Sequence, residues 1–210
     1  MKWLSNNPAL SYVLPLLATG GLYLTGLHRP VISELQSILL TTGLFPAPTT
    51  TAAPHGDTSS EVDAAAVVPP PDHLAFTMTS PDGEVVRAAD LRGKVVFINL
   101  WAEWCPPCLA EMPTINALYA DFVDDDRVAF VLLNVDREFA RGIKLVEREG
   151  YDFPIYHLSG PLPPTLEAAG LPTTFVVSPS GELALTHTGM ANYDSAEFRE
   201  LLTDLARQHP

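Results

Sequence analysis

Two cysteines occur in the chain, at positions 105 and 108, within Trp101-Ala102-Glu103-Trp104-Cys105-Pro106-Pro107-Cys108. The segment lies between a continuous apolar run and an amphipathic one, so a buried strand hands over to a helix there. Cys105 then takes the N-cap position, with its sulfur facing the positive end of the helix dipole, which favours thiolate. Only a thiolate attacks a disulfide. The expected chemistry is attack by an exposed Cys105, a mixed disulfide, and resolution by Cys108 one turn later.

Pro106 and Pro107 carry no N–H. An N-cap acceptor draws on the second and third helical residues, and here only the Cys108 N–H remains. The Cys105 pKa is therefore expected to be lowered only modestly. That suits a reductant better than a strong oxidant, whose reduced thiolate is highly stabilised. Other uses of two thiols fare worse. A structural zinc site needs two further ligands, for which His157 and His187 are candidates by number alone. A Cu(I) site on two thiolates is chemically possible, but no Met/His-rich tract adjoins the pair. A purely structural disulfide across so short a loop adds little stability.

The elements that must position the pair follow from hydrophobic period. Leu74 to Thr79 reads as a short strand with Pro81-Asp82-Gly83 as its turn. Lys94 to Leu100 is a strand buried on both faces. A helix begins near Pro106 and carries Ile115, Leu118, Tyr119 and Phe122 on one face. Val128 to Val135 is the next buried strand, Phe139 to Arg148 a helix, and Phe153 to Leu158 a short strand. Thr165 to Ala169 reads as a short helix ended by Gly170. Thr173 to Val177 and Leu183 to His187 form strands joined by Pro179-Ser180-Gly181, and Ser195 to Ala206 is a closing helix. This is an α/β pattern, a mixed central sheet flanked by helices.

The domain so outlined is 72–210, behind an N-terminal segment 1–45 and a linker 46–71. Trp3 to Leu27 carries no formal charge, and its length and apolarity suit a transmembrane helix. A retained signal anchor competes with a cleaved signal peptide and with a buried soluble helix. Lys2 and the amino terminus oppose Arg29, so charge does not decide orientation. Val31 to Phe45 is either an interfacial helix or a continuation of the anchor. Residues 46–71 are rich in Pro, Ala, Thr and Ser, as in an extended tether.

The net charge is −13. From Asp72 onward, 10 Lys/Arg stand against 21 Asp/Glu, a formal −11. Such acidity argues against a nucleic-acid partner, which needs basic clusters. Two cysteines exclude both a disulfide-stapled scaffold and a four-cysteine zinc site.

The cysteine motif and the order of elements around it resemble the thioredoxin superfamily, from about Asp72 to Ala206. Pro113, five residues past Cys108, resembles that family's helix proline, and Leu171-Pro172-Thr173-Thr174-Phe175 its cis-proline segment. The resemblance implies a cis Leu171–Pro172 bond beside the cysteines, where a substrate backbone docks against Trp104, Pro106, Pro107, Leu171 and Pro172. An ordinary trans turn proline is the alternative for Pro172. Trp104 is expected to shield the site, Trp101 to pack in the core, and Glu103 to lie exposed.

Within the superfamily the chain is similar to the TlpA/ResA/DsbE group of anchored extracytoplasmic reductases, several of which serve cytochrome c maturation. The likeness rests on the apolar N-terminus, the Pro-Pro dipeptide, Asn99, Glu111 and an insertion between Asn134 and Pro154. Asn99 stands where cytosolic thioredoxins carry a buried Asp, and it cannot take a proton. Glu111 lies three residues past Cys108 on the same helix face. The group implies that it modulates cysteine protonation; a solvated surface carboxylate is the alternative.

The implied activity is thiol–disulfide exchange with Cys105, Cys108 and Glu111 as catalytic residues. It needs no cofactor beyond the redox-active disulfide. The partners implied are protein thiols or disulfides, including apocytochrome or metallochaperone cysteines, and a membrane electron donor. An oxidant or isomerase for folding proteins, and a Cu(I)-binding module, are the alternatives.

Overall fold

The computed structural model describes residues 72–208. The anchor, juxtamembrane segment and linker expected over residues 1–71 lie outside the described residues. Among the described residues, no helix is long and apolar enough to cross a membrane.

Seven strands form one sheet: β1 (Thr77–Thr79), β2 (Val85–Arg87), β3 (Val95–Trp101), β4 (Val128–Asn134), β5 (Ile155–Leu158), β6 (Thr173–Val177) and β7 (Leu183–Thr188). Their order is β2-β1-β5-β4-β3-β6-β7. β3, β4 and β5 run parallel, while β6 pairs antiparallel with β3 and β7. The helices are α1 (Pro106–Phe122), α2 (Phe139–Glu149) and α3 (Ala196–Arg207).

β3 is central, and every one of its residues is buried. That accounts for its apolar run, broken only at Asn99: a strand with neighbours on both edges and cover on both faces takes a polar residue only where it is hydrogen-bonded. Its side chains still divide by the two-residue period of a strand. Val95, Phe97 and Trp101 face a cluster containing Met112, Ile115 and Leu118 of α1, Leu145 of α2 and Leu202 of α3. Val96, Ile98 and Leu100 face a second cluster with Leu74, Met78, Leu166 and Phe175. Asn99 shares the phase of Phe97 and Trp101, which puts it on the face that α1 covers.

All three α-helices therefore pack on one face, a correction to the expectation of helices on both. The expected helix at Thr165 to Ala169 is instead a 3-10 turn at Pro164–Leu166. Past Leu166 the chain leaves helical geometry at Glu167 (φ −64°, ψ 127°), whose N–H closes the turn on the Pro164 carbonyl, and Gly170 lies beyond the turn as no helix cap. The left-handed capping glycine occurs elsewhere: Gly150 ends α2 at φ 70°.

Two further differences sit at the sheet edge. The strand expected from Leu74 begins only at Thr77, because Asp72 ties the segment into a turn through the Leu74 and Ala75 N–H groups. β2 carries no apolar alternation that would announce it: Val85 and Arg87 are exposed and only Val86 is partly covered.

Candidate active site

β3 delivers the chain to the site. It ends at Trp101, whose side chain is fully buried, as expected of core packing. The loop 102–104 then turns back, with the Cys105 N–H donating to the Ala102 carbonyl at 3.1 Å. Cys105 caps α1 in extended geometry, and its sulfur accepts the Cys108 N–H at 3.3 Å. Pro106 and Pro107 fill the first two helical positions, where a fixed φ suits the helix start and a missing N–H costs nothing. The two sulfurs are bonded at 2.10 Å, with the Cα atoms 5.3 Å apart.

In this disulfide form Cys105 is 4% exposed and Cys108 1%. The expected openly exposed Cys105 is thus corrected: its sulfur turns inward to bond Cys108 and to receive the Cys108 N–H. Of the two, Cys105 is the slightly less buried. Pro106 and Pro107 are half-buried beside it. Trp104, expected to shield the loop, is 54% exposed, one of few large apolar side chains so exposed among the described residues. Glu103, expected exposed, is half-buried, because its main chain is tied inward to Asp136.

The Leu171–Pro172 bond is cis. Leu171 packs against the cluster that holds both cysteines, and Pro172 is buried. The Pro172 carbonyl accepts the Gly189 N–H at 2.9 Å, which ties the segment to the chain after β7. Pro113 lies within α1.

Glu111 is fully buried, which removes the alternative of a solvated surface carboxylate. Asn99 Nδ2 donates to its Oε1 at 2.8 Å and the Ala191 N–H to its Oε2 at 3.1 Å. Burial pushes its carboxyl up to about 8, against the opposing pull of the Asn99 and Ala191 hydrogen bonds. Asn99 is directly opposite Thr174 in the β3–β6 register. Its second amide hydrogen goes to Thr174 Oγ1 at 2.9 Å, which also accepts from the Tyr193 hydroxyl at 2.5 Å. Burial, with the Glu111 charge adding to it, raises the Tyr193 phenol well above its ordinary range.

Thr174, Tyr193 and Ala191 were not foreseen from sequence, since they meet Glu111 only through strand pairing and long-range contact. Asp136 was also missed. It is a buried carboxylate that accepts the Glu103 N–H at 2.8 Å. The pattern Asn134-Val135-Asp136 directly after a buried strand was the one local signal available.

As for metal binding, His157 Nε2 meets the Asp136 carbonyl at 2.8 Å, and His187 Nε2 is buried without a hydrogen-bond partner. Among the described residues, no cluster of three or more His, Cys, Asp or Glu is arranged to hold a metal ion.

A two-cysteine helix cap, a buried carboxyl on the same helix and a cis-proline segment on one sheet define the class: a thioredoxin-fold thiol–disulfide oxidoreductase. The chain belongs to the AhpC/TSA family, whose sequence profile matches residues 71–186, more than half of its length. It is 34% identical over 131 residues to the thiol-disulfide oxidoreductase ResA of Halalkalibacterium halodurans, spanning 60% of this chain and 73% of that protein. A candidate thiol:disulfide interchange protein DsbE from Chlorobium tepidum superposes with TM-score 0.53 at 25% identity, over 66% of this chain and 95% of that one. StoA from Bacillus subtilis gives TM-score 0.50 at 25% identity, over 62% and 94%.

Proposed function

We propose that the protein is an extracytoplasmic reductase of protein disulfides, working through the Cys105–Cys108 pair and held at a membrane by its apolar N-terminus. The observation that carries the reductase reading is the cap itself. The Cys105 sulfur sits where helix N–H groups converge, yet only Cys108 donates one, at 3.3 Å. A thiolate so sparsely bonded is stabilised modestly, and a modestly stabilised thiolate gives up electrons readily.

The electrons and protons balance as follows. The Cys105 thiolate attacks one sulfur of a substrate disulfide and expels the other as thiolate, leaving a mixed disulfide. Cys108 loses its proton, attacks the Cys105 sulfur and expels the second substrate thiolate. The substrate gains two electrons, and the pair is left as the disulfide seen here. Glu111 is the acceptor proposed for the Cys108 proton. In the disulfide form it holds a proton below about pH 8, the state expected once Cys108 has given one up. Trp104, Pro106, Pro107, Leu171 and Pro172 form the proposed docking edge for the substrate chain.

The substrates proposed are oxidised cysteine pairs of extracytoplasmic proteins, apocytochromes or metallochaperones among them, with a membrane protein resupplying electrons. Trp3 to Leu27 as a single span and 46–71 as a tether support this placement in the inner membrane, with domain 72–210 outside. Labelling of reduced whole cells with a membrane-impermeant thiol reagent tests it: Cys105 labelled before lysis is expected, and labelling only after lysis contradicts it.

Equilibration of the pair against glutathione tests the direction of exchange. A potential near that of thioredoxin, about −270 mV, is expected, whereas one near about −120 mV would make the protein an oxidant. Tight Cu(I) binding by the reduced chain with no insulin reduction would replace the enzymatic reading by metal binding.

A further inference from the structure

A second buried carboxylate holds the loop that carries Cys105. Asp136, just past the end of β4, is 6% exposed. Its Oδ2 accepts the Glu103 main-chain N–H at 2.8 Å and Asn134 Nδ2 at 2.8 Å. Asn134 Oδ1 accepts the Asp136 N–H at 3.0 Å in return. Between them, the Val135 N–H donates to the Trp101 carbonyl at 3.0 Å. The segment Asn134–Asp136 therefore grips the loop at both Trp101 and Glu103.

The grip is backed from outside. Gly142 of α2 lies so close that a Cβ there would stand 2.9 Å from Asn134 Nδ2 and 3.1 Å from Trp101 Cη2. His157 Nε2 meets the Asp136 carbonyl oxygen, and its ring lies 5.4 Å from that of Phe139 at the start of α2. The residue after Glu103 is the largely exposed Trp104, and the next is Cys105. A buried acceptor spent on one loop N–H costs desolvation, and what it secures is the geometry of those two residues.

We propose that Asp136 is a positioning residue for substrate recognition: by holding the Glu103 N–H it fixes how Trp104 and the capping Cys105 are presented to a protein partner. The inference rests on reading Cys105–Cys108 as the reacting pair. A protein disulfide must dock against Trp104 and approach along one line, so a loosened loop slows it strongly. A small aromatic disulfide needs only the sulfur and is slowed less. One oxygen makes both of the carboxylate's hydrogen bonds, so an amide oxygen in its place should suffice.

The test uses the full chain and its Asp136→Ala and Asp136→Asn variants. It measures hydrogen exchange at the Glu103 amide, and kcat/KM for insulin reduction against reduction of 5,5′-dithiobis(2-nitrobenzoate). In the wild type the Glu103 amide should exchange at least about tenfold slower than an unfolded chain. Asp136→Ala should remove that protection and lower kcat/KM for insulin about tenfold, with less than about a threefold loss on the small disulfide. Asp136→Asn should stay within about threefold of wild type in every readout.

Three results would overturn the proposal: an unprotected Glu103 amide in the wild type, which needs no variant to fold; equal losses on both substrates; or an Asn variant as impaired as the Ala variant. Failure of the wild type to reduce insulin would instead strike the reading of the cysteine pair, and the amide measurement would still report on the grip.

Discussion

Glu111, on the helix that Cys105 caps, and Asp136, which holds the loop before Cys105, are both buried carboxylic acids, and they are held in different ways. Glu111 lies on the buried face of α1 among an amide side chain, a main-chain N–H and apolar cover, and its carboxyl is pushed up to about 8. In the role proposed above it gains and loses a proton. Asp136 spends one oxygen on the main chain of the loop, and Asn134 braces it by two hydrogen bonds. It is built to hold a shape. Burial alone therefore does not tell what a buried acid does; the two proposed roles differ by where the main-chain partner lies, at Ala191 for Glu111 and in the cysteine loop at Glu103 for Asp136.

The sharpest way to break the comparison is to remove the Cys105 sulfur that both proposed roles depend on. Cys105→Ser should lower insulin reduction by roughly a thousandfold or more, with the thermal unfolding of the reduced protein little changed. Insulin assays and calorimetry on the same samples check it. A mild loss would mean that neither acid serves a Cys105-centred reaction.

The next largest effect separates the acids by pH. The folded Glu111 pKa of about 8 lies above its ordinary 4.5, so the native state retains a proton that the unfolded chain releases. Its contribution to stability is complete below pH 4.5 and is lost as pH rises towards and through 8. The wild-type disulfide form should therefore lose stability across that window, at up to about 1.4 kcal/mol per pH unit. Glu111→Gln should flatten the slope. It should also start about 1–3 kcal/mol lower at pH 5, because one of its donors then faces the Asn99 amide or the Ala191 N–H. Denaturant titrations at pH 5, 7 and 9 measure both effects.

Gly142→Ala probes the Asp136 side. The added Cβ overlaps Asn134 and Trp101, which should cost about 1–3 kcal/mol and leave the pH slope intact. Tyr193→Phe probes the Glu111 side more gently. It removes one hydrogen bond to Thr174 and should cost about 1 kcal/mol, again by denaturant titration.

What could be read in advance was local. The pair with its two prolines, the apolar run at the start of β3 and the Leu171-Pro172 segment each lie within a few residues, and the fold keeps each where its pattern indicated. What could not be read is assembled across the chain. Glu111 was placed on the correct helix face, yet its burial depends on Asn99, Thr174 and Ala191, and Ala191 is 80 residues away in sequence. Asp136 looks like any acid at a strand end until the Glu103 N–H is seen beside it. β2 was missed because it is an exposed edge, and the 3-10 turn at Pro164–Leu166 because a single turn is too short to carry a hydrophobic period.

The central claim, that Cys105 is the attacking sulfur and Cys108 the resolving one, meets its most direct test in trapping. The Cys108→Ala chain, reduced and mixed with an oxidised protein substrate, should accumulate a stable mixed disulfide that mass spectrometry maps to Cys105, while Cys105→Ala accumulates none. A crosslink that forms instead at Cys108 in the Cys105→Ala chain, or no crosslink in either variant, would contradict it.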